Sequence, residues 1–155
     1  MTACLPTAGR LAALTVVLLA SAAATAQPRR QATPQVTLVA AASPVATAIA
    51  AGGPDRNVIP GSGCSGFIRN AAPAAAVQHG GGPLSIYVTS GTDTTLLVAD
   101  PSGRWQCSDD ANGSDPAVTF AAGEAGTYTV WVGTFSAESA GVAARLFAVQ
   151  GSPRW

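Results

Sequence analysis

The chain has 155 residues, with eight arginines, no lysine, eight acids and a formal net charge of zero. It offers no basic patch to neutralise phosphates, which argues against nucleic acid as a partner. The length suits one domain with an extension.

The amino terminus reads as a targeting segment. Arg10 precedes an apolar run from Leu11 to Ala24, which ends in Ala24-Thr25-Ala26 followed by Gln27-Pro28. Small residues at the third and first positions before a break are what signal peptidase requires. The run is shorter than the roughly 20 residues that span a bilayer, so an uncleaved anchor is the lesser reading. Cys4 lies before the run and is no lipobox cysteine, and Arg29-Arg30 lies after the cleavage site and is no twin-arginine signal. Residues 1–26 are therefore expected to be a signal peptide. The mature protein is expected to be periplasmic or secreted, with no membrane span after cleavage. It keeps seven arginines against eight acids, a net charge of −1.

Cleavage removes Cys4 and leaves Cys64 and Cys107 as an even pair in an oxidising compartment, where a disulfide is expected. Two separate thiols are the alternative. Zinc is disfavoured, because two cysteines and the single His79 make a poor ligand set.

Residues 27–43 are rich in Pro and Gln at their start and lack a period, so they read as a flexible tether. Val36 to Val39 within them could add an edge strand. The domain is expected to span 44–155. Pro44 to Ala51 alternates Val45, Thr47 and Ile49 against alanines. Phe67-Ile68 and Ala74 to Gln78 are short strand signals. Leu84 to Thr89 alternates, with Leu84, Ile86 and Val88 inward and Ser85, Tyr87 and Thr89 outward. Thr94 to Ala99 is apolar throughout. Asp100-Pro101-Ser102-Gly103 is a turn, with Pro at its second position and Gly at its fourth. Arg104 to Ser108, Ala117 to Ala121, Thr127 to Phe135 and Gly141 to Gln150 supply further strands. No sustained helical period appears after residue 26. Turn signals every 8–12 residues or so predict an antiparallel sandwich or barrel, and a two-sheet sandwich suits the length.

Four motifs in order resemble the bacterial pre-peptidase C-terminal (PPC-like) domain. They are Asp93-Thr94-Thr95-Leu96-Leu97-Val98, Asp100-Pro101-Ser102-Gly103, Cys107-Ser108-Asp109-Asp110, and Ala125-Gly126-Thr127-Tyr128-Thr129-Val130-Trp131-Val132-Gly133. Cys64 with Gly66-Phe67-Ile68 is similar to a secreted variant carrying a second cysteine before the double Asp. The resemblance covers about Pro44 to Val149. It implies a jelly-roll-like β-sandwich of about eight strands that serves secreted peptidases as an accessory module. Some such domains bind calcium, and some bind collagen or carbohydrate. No peptidase domain precedes the module here, so a stand-alone form is expected.

The candidate calcium ligands are Asp93, Asp100, Asp109, Asp110, Asn112 and Asp115, since calcium takes six to eight oxygens or so from carboxylates, amides and carbonyls. The loop is no EF-hand, because Ala121 stands where the bidentate Glu belongs. The alternative is a solvated turn in which Asp and Asn bond their own backbone. Gly61 to Gly66 matches G-x-G-x-x-G but has no helix after it, so its glycines read as a bend. His79-Gly80-Gly81-Gly82 resembles an esterase oxyanion loop, yet no G-x-S-x-G elbow accompanies it, and a glycine turn is the better account. Tyr128 is expected in the core. Trp131 points to the opposite face, and Trp105 packs near Cys107; these two tryptophans are a weak candidate ligand platform.

The expected function is an exported, non-catalytic accessory or binding module, monomeric, with an unknown protein or carbohydrate as partner. One alternative is a small secreted enzyme, disfavoured because no nucleophile–base pair is legible. Another is an eight-stranded outer-membrane barrel, disfavoured because such strands run to about 9–11 residues and carry aromatic girdles.

Overall fold

The structure, a computed structural model, describes residues 33–58 and 65–155. The expected signal peptide (1–26), the first part of the expected tether, Cys64 and most of the Gly61–Gly66 motif lie outside the described residues. Eleven strands are present among the described residues: β1 (Val36–Val39), β2 (Val45–Ala51), β3 (Asp55–Val58), β4 (Ser65–Ile68), β5 (Ala75–His79), β6 (Gly82–Ser90), β7 (Thr94–Ala99), β8 (Trp105–Ser108), β9 (Ala117–Gly123), β10 (Gly126–Thr134) and β11 (Val142–Gln150). A 3-10 turn at Ala137–Ser139 joins the last two.

The strands form two sheets. The larger has seven strands, with β10 at its centre. One side of β10 pairs with β5 over Gly126–Val130 and with β4 at Thr134, and its other side pairs with β7 over Thr129–Thr134. The smaller sheet has the order β2-β11-β6-β9. The core lies between them. Val77, Leu96, Val98, Tyr128, Val130 and Val132 of the larger sheet face Leu84, Ile86, Val88, Val118, Phe120 and Leu146 of the smaller. This is why β6 and β10 alternate in sequence: every second residue meets the opposite sheet.

Strand β7 is apolar on both sides because both of its faces are covered. Its second face belongs to a smaller cluster on the outside of the larger sheet. There Ile68, Leu97, Ala99 and Trp131 pack together, with Trp105 and Cys107 against them.

Two expectations change, a disfavoured alternative falls, and one expectation is refined. The domain begins at least eight residues before position 44: β1 pairs with β5, and Leu38 and Ala40 are each only 6% exposed. The β1–β5 pair is parallel, so the sandwich is not wholly antiparallel, and it has eleven strands rather than about eight. An eight-stranded barrel does not fit two separate sheets around an apolar interior. Finally, Ser85 and Tyr87 do face outward from β6, yet both are fully buried. The segment after β11 covers them: Ser85 Oγ donates to Gly151 O, Tyr87 Oη donates to Arg154 O at 2.9 Å, and the Trp155 ring meets Tyr87 edge-on.

No helix among the described residues is long and apolar enough to cross a membrane.

Candidate functional site

The six proposed calcium ligands separate into three groups. Asp100 ends β7, and its side chain is 2% exposed. One carboxylate oxygen accepts from Ser102 Oγ at 2.7 Å and from Arg104 N at 2.8 Å, and the other accepts from Arg104 Nε at 2.8 Å. Burial alone would push this carboxyl upward, but the Ser102 and Arg104 hydrogen bonds outweigh it and hold the group below its ordinary value. Arg104 also reaches Glu124 at 3.1 Å. Gly103 N donates to Asp100 O at 2.9 Å, which closes the turn expected from Asp-Pro-Ser-Gly. Asp100 is thus occupied in locking its own turn.

Asp115 and Asn112 form the second group. Asp115 Oδ1 accepts from Ser90 N at 2.9 Å and ties the loop to the end of β6. The backbones of Asn112 and Asp115 bond each other, at 3.0 Å and 3.2 Å, around Gly113 at φ 62°. The third group is Asp93, Asp109 and Asp110. Burial first, then the charges of Asp110 and Asp109, push the Asp93 carboxyl upward. The charges of Asp109 and Asp110 thus bear on Asp93. Among the described residues no three His, Cys, Asp or Glu side chains converge closely enough to hold a metal ion. Asp100 and Asp115 thus already spend carboxylate oxygens on protein donors.

The tryptophans are taken up by packing. Trp131 is 1% exposed, its Nε1 donates to Asn70 O at 3.4 Å, and Trp105 lies against it with ring centroids 5.2 Å apart. A ring this buried offers no face to a ligand, so Trp131 is no platform, while Trp105 is half-buried. Cys107 sits beside them on β8.

His79 closes β5. Its Nε2 donates to Gly82 O at 3.1 Å, and its ring meets Tyr128 edge-on at 6.0 Å. Gly81 and Gly82 follow with φ near 100°, which makes the His-Gly-Gly-Gly run a turn between β5 and β6. Nδ1 of His79 is buried without a partner.

The outer side of the smaller sheet carries a surface the sequence reading missed. A shallow groove there is lined by Ala48, Thr89, Ser90, Gly91, Ala143, Ala144 and Arg145. Arg145 is exposed, and its guanidinium sits 5.3 Å above the Phe147 ring, which stacks on Tyr87 at 4.8 Å. A cation, a stacked aromatic pair and the Trp155 ring, 49% exposed, thus share one face. The available signal was Arg145 standing on the outward side of a strand whose neighbours there are Ala143 and Phe147.

Residues 76–134 match the family described as bacterial pre-peptidase C-terminal domain. Among solved structures, the chain is similar to the pre-peptidase C-terminal domain of a collagenase from Bacillus anthracis. The identity is 12%, the TM-score is 0.46, and the match covers 77% of this chain and 98% of that one. No curated protein matches the chain.

Proposed function

We propose that the chain is an exported, non-catalytic accessory module that binds a protein or carbohydrate ligand through the outer face of its smaller sheet. The observation that carries this reading is the match of residues 76–134, which run from β5 to the end of β10, to a domain family associated with peptidases. Two features support it. The lone histidine is held between Gly82 O and Tyr128, and the one fully buried acid is held by Arg104. On the outer face of the smaller sheet the exposed Trp155 ring and the Arg145 cation lie beside the half-buried Phe147, with Tyr87 buried beneath them.

Export by cleavage after Ala26, a periplasmic or secreted location and a Cys64–Cys107 bridge belong to the same proposal. Support for the bridge comes from β4, which follows position 64 in the chain: its Ile68 packs in the outer cluster with Leu97 and Trp131, where Cys107 also lies.

The test pairs binding with turnover. Purified mature protein is applied to glycan and peptide arrays and to a panel of hydrolase substrates. Binding without turnover is expected, and Arg145→Ala should weaken it about tenfold. Turnover that is abolished by His79→Ala in a folded variant would overturn the reading.

Calcium stays as a second reading in a looser form, as a counter-ion gathered by Asp93, Asp109 and Asp110. What favours it is the nearness of the Asp109 and Asp110 charges to Asp93. Melting temperature should rise with millimolar calcium and be reversed by EDTA, and Asp110→Asn should blunt the rise. An equal rise with sodium at matched ionic strength reduces the effect to screening.

A further inference from the structure

We infer that β2 is a pairing edge at which two copies of this chain join across a two-fold axis near Ala48. Strand β2 is the outermost strand of the smaller sheet and pairs with β11 along all seven of its residues. Hydrogen bonds around its ends fix which backbone groups point where. Gly141 N donates to Ala51 O, and Gln150 N of β11 donates to Ala41 O, whereas Gly52 N turns the other way to Val132 O. The odd positions therefore bond to β11, and the N–H and C=O groups of Ala46, Ala48 and Ala50 point away from it. Among the described residues no backbone partner meets these three, and the Thr47 hydroxyl approaches Ala48 O, at 3.4 Å.

Proteins protect such edges with short strands, charges, prolines or irregular register. The other edges here show these devices. Strands β1, β3 and β8 have four residues each, and β3 carries Asp55 and Arg56. The β6–β9 pair has a register shift between Gly82 and Leu84. Strand β2, Val-Ala-Thr-Ala-Ile-Ala-Ala, has none of them: seven residues, no charge, no proline and an unbroken register with β11.

The occupant that fits is a second β2. Antiparallel pairing of a strand with itself is self-complementary, so it closes as a dimer and leaves no new edge. With the axis at Ala48, Ala48 pairs with its own copy and Ala46 with Ala50. The three outward-pointing residues then exchange hydrogen bonds, and the smaller sheet continues into an eight-stranded one. Ala48 and Ala50 are exposed, and their methyl groups obstruct no incoming strand. A net charge of only −1 after cleavage sets up little repulsion between copies. This inference does not depend on the ligand proposed above.

The test is sedimentation of the full chain after export, over a concentration series reaching about 1 mM, with two variants. Ala48→Lys sets two like charges opposite each other at the axis and should raise the dissociation constant at least about tenfold. Ala143→Lys puts the same charge on the same sheet face, one strand in from the edge, and should leave dimerisation within about twofold of wild type. Circular dichroism checks that each variant is folded. A wild type that stays monomeric throughout overturns the proposal. So does a dimer that Ala143→Lys weakens as much as Ala48→Lys.

Discussion

Asp100 and Asp93 show how two carboxylates in one short stretch acquire opposite energetics. Asp100 accepts three hydrogen bonds in a buried turn, so its charged form is stabilised by folding. Its folded value lies below the ordinary 3.8. The stability it contributes is therefore fully present above the unfolded value of about 3.9 and is lost as pH falls through the folded value. Asp100→Asn should cost about 1–3 kcal/mol at pH 7 in a urea titration, and the gap to wild type should close in strong acid. Asp93 has the reverse sign. Its carboxyl is raised by burial and by Asp110 and Asp109, so its charge opposes folding at neutral pH, and acidification relieves the cost. At the same scale, Gly133 on β10 has the Thr95 hydroxyl against the place a Cβ would occupy, with Phe67 O 2.9 Å from it. Gly133→Ala must displace a buried side chain and a backbone carbonyl together. A loss of about 1–3 kcal/mol is expected by denaturant titration, and an unchanged midpoint would show that Thr95 yields freely.

At the scale of elements, the segment after β11 is the one whose effect is largest for its length. Residues 151–155 bury the outward side of β6 through Gly151, Arg154 and Trp155. Truncation after Gln150 should expose the Tyr87 ring and lower stability by about 2–4 kcal/mol, from one lost aromatic cover and two side-chain hydrogen bonds. Tyr87→Phe should cost about 1 kcal/mol, and a truncated protein with an unshifted melting curve would mean that the cover is idle. The same segment explains which part of the fold was legible. Strands β6, β7 and β10 follow from their own residues, because period-two alternation or a continuous apolar run reports what covers each face. The burial of Tyr87 depends on residues more than sixty positions away, which no local pattern reports. Strand β3 was missed for a related reason: Asp55 and Arg56 carry no strand signal, and register with β4 makes the strand. Strand β1 is short, but Leu38 in the core decides that it belongs to the domain. The acidic candidates were legible as residues and not as a site, because composition cannot tell that Asp100 is spent on Arg104 and Asp115 on Ser90.

For the whole molecule, the two faces of the larger sheet are stabilised differently. Its inner face has the opposite sheet against it, whereas on its outer face the described residues form the small cluster of Ile68, Leu97, Ala99 and Trp131 with Trp105 and Cys107. A cluster of this size on an open face is a weak anchor for β8, which pairs with β7 alone. A covalent link from Cys107 to the residue before β4 would tie together the strands on opposite sides of β10, and so fasten the outer cluster from both flanks. The loop so closed has about 44 residues, for which the chain-entropy account gives on the order of 4 kcal/mol as an upper figure. Cys107→Ser should therefore lower the urea midpoint by a few kcal/mol in free-energy terms, and the loss should fall first on the outer cluster. Trp131 fluorescence would then shift to the red at lower urea than the far-ultraviolet signal of the sheets. Intact mass with and without reductant should differ by about two hydrogens in the exported wild type. Equal masses, together with an unmoved midpoint in Cys107→Ser, would show that the packing of Trp105 on Trp131 holds β8 without a covalent bond.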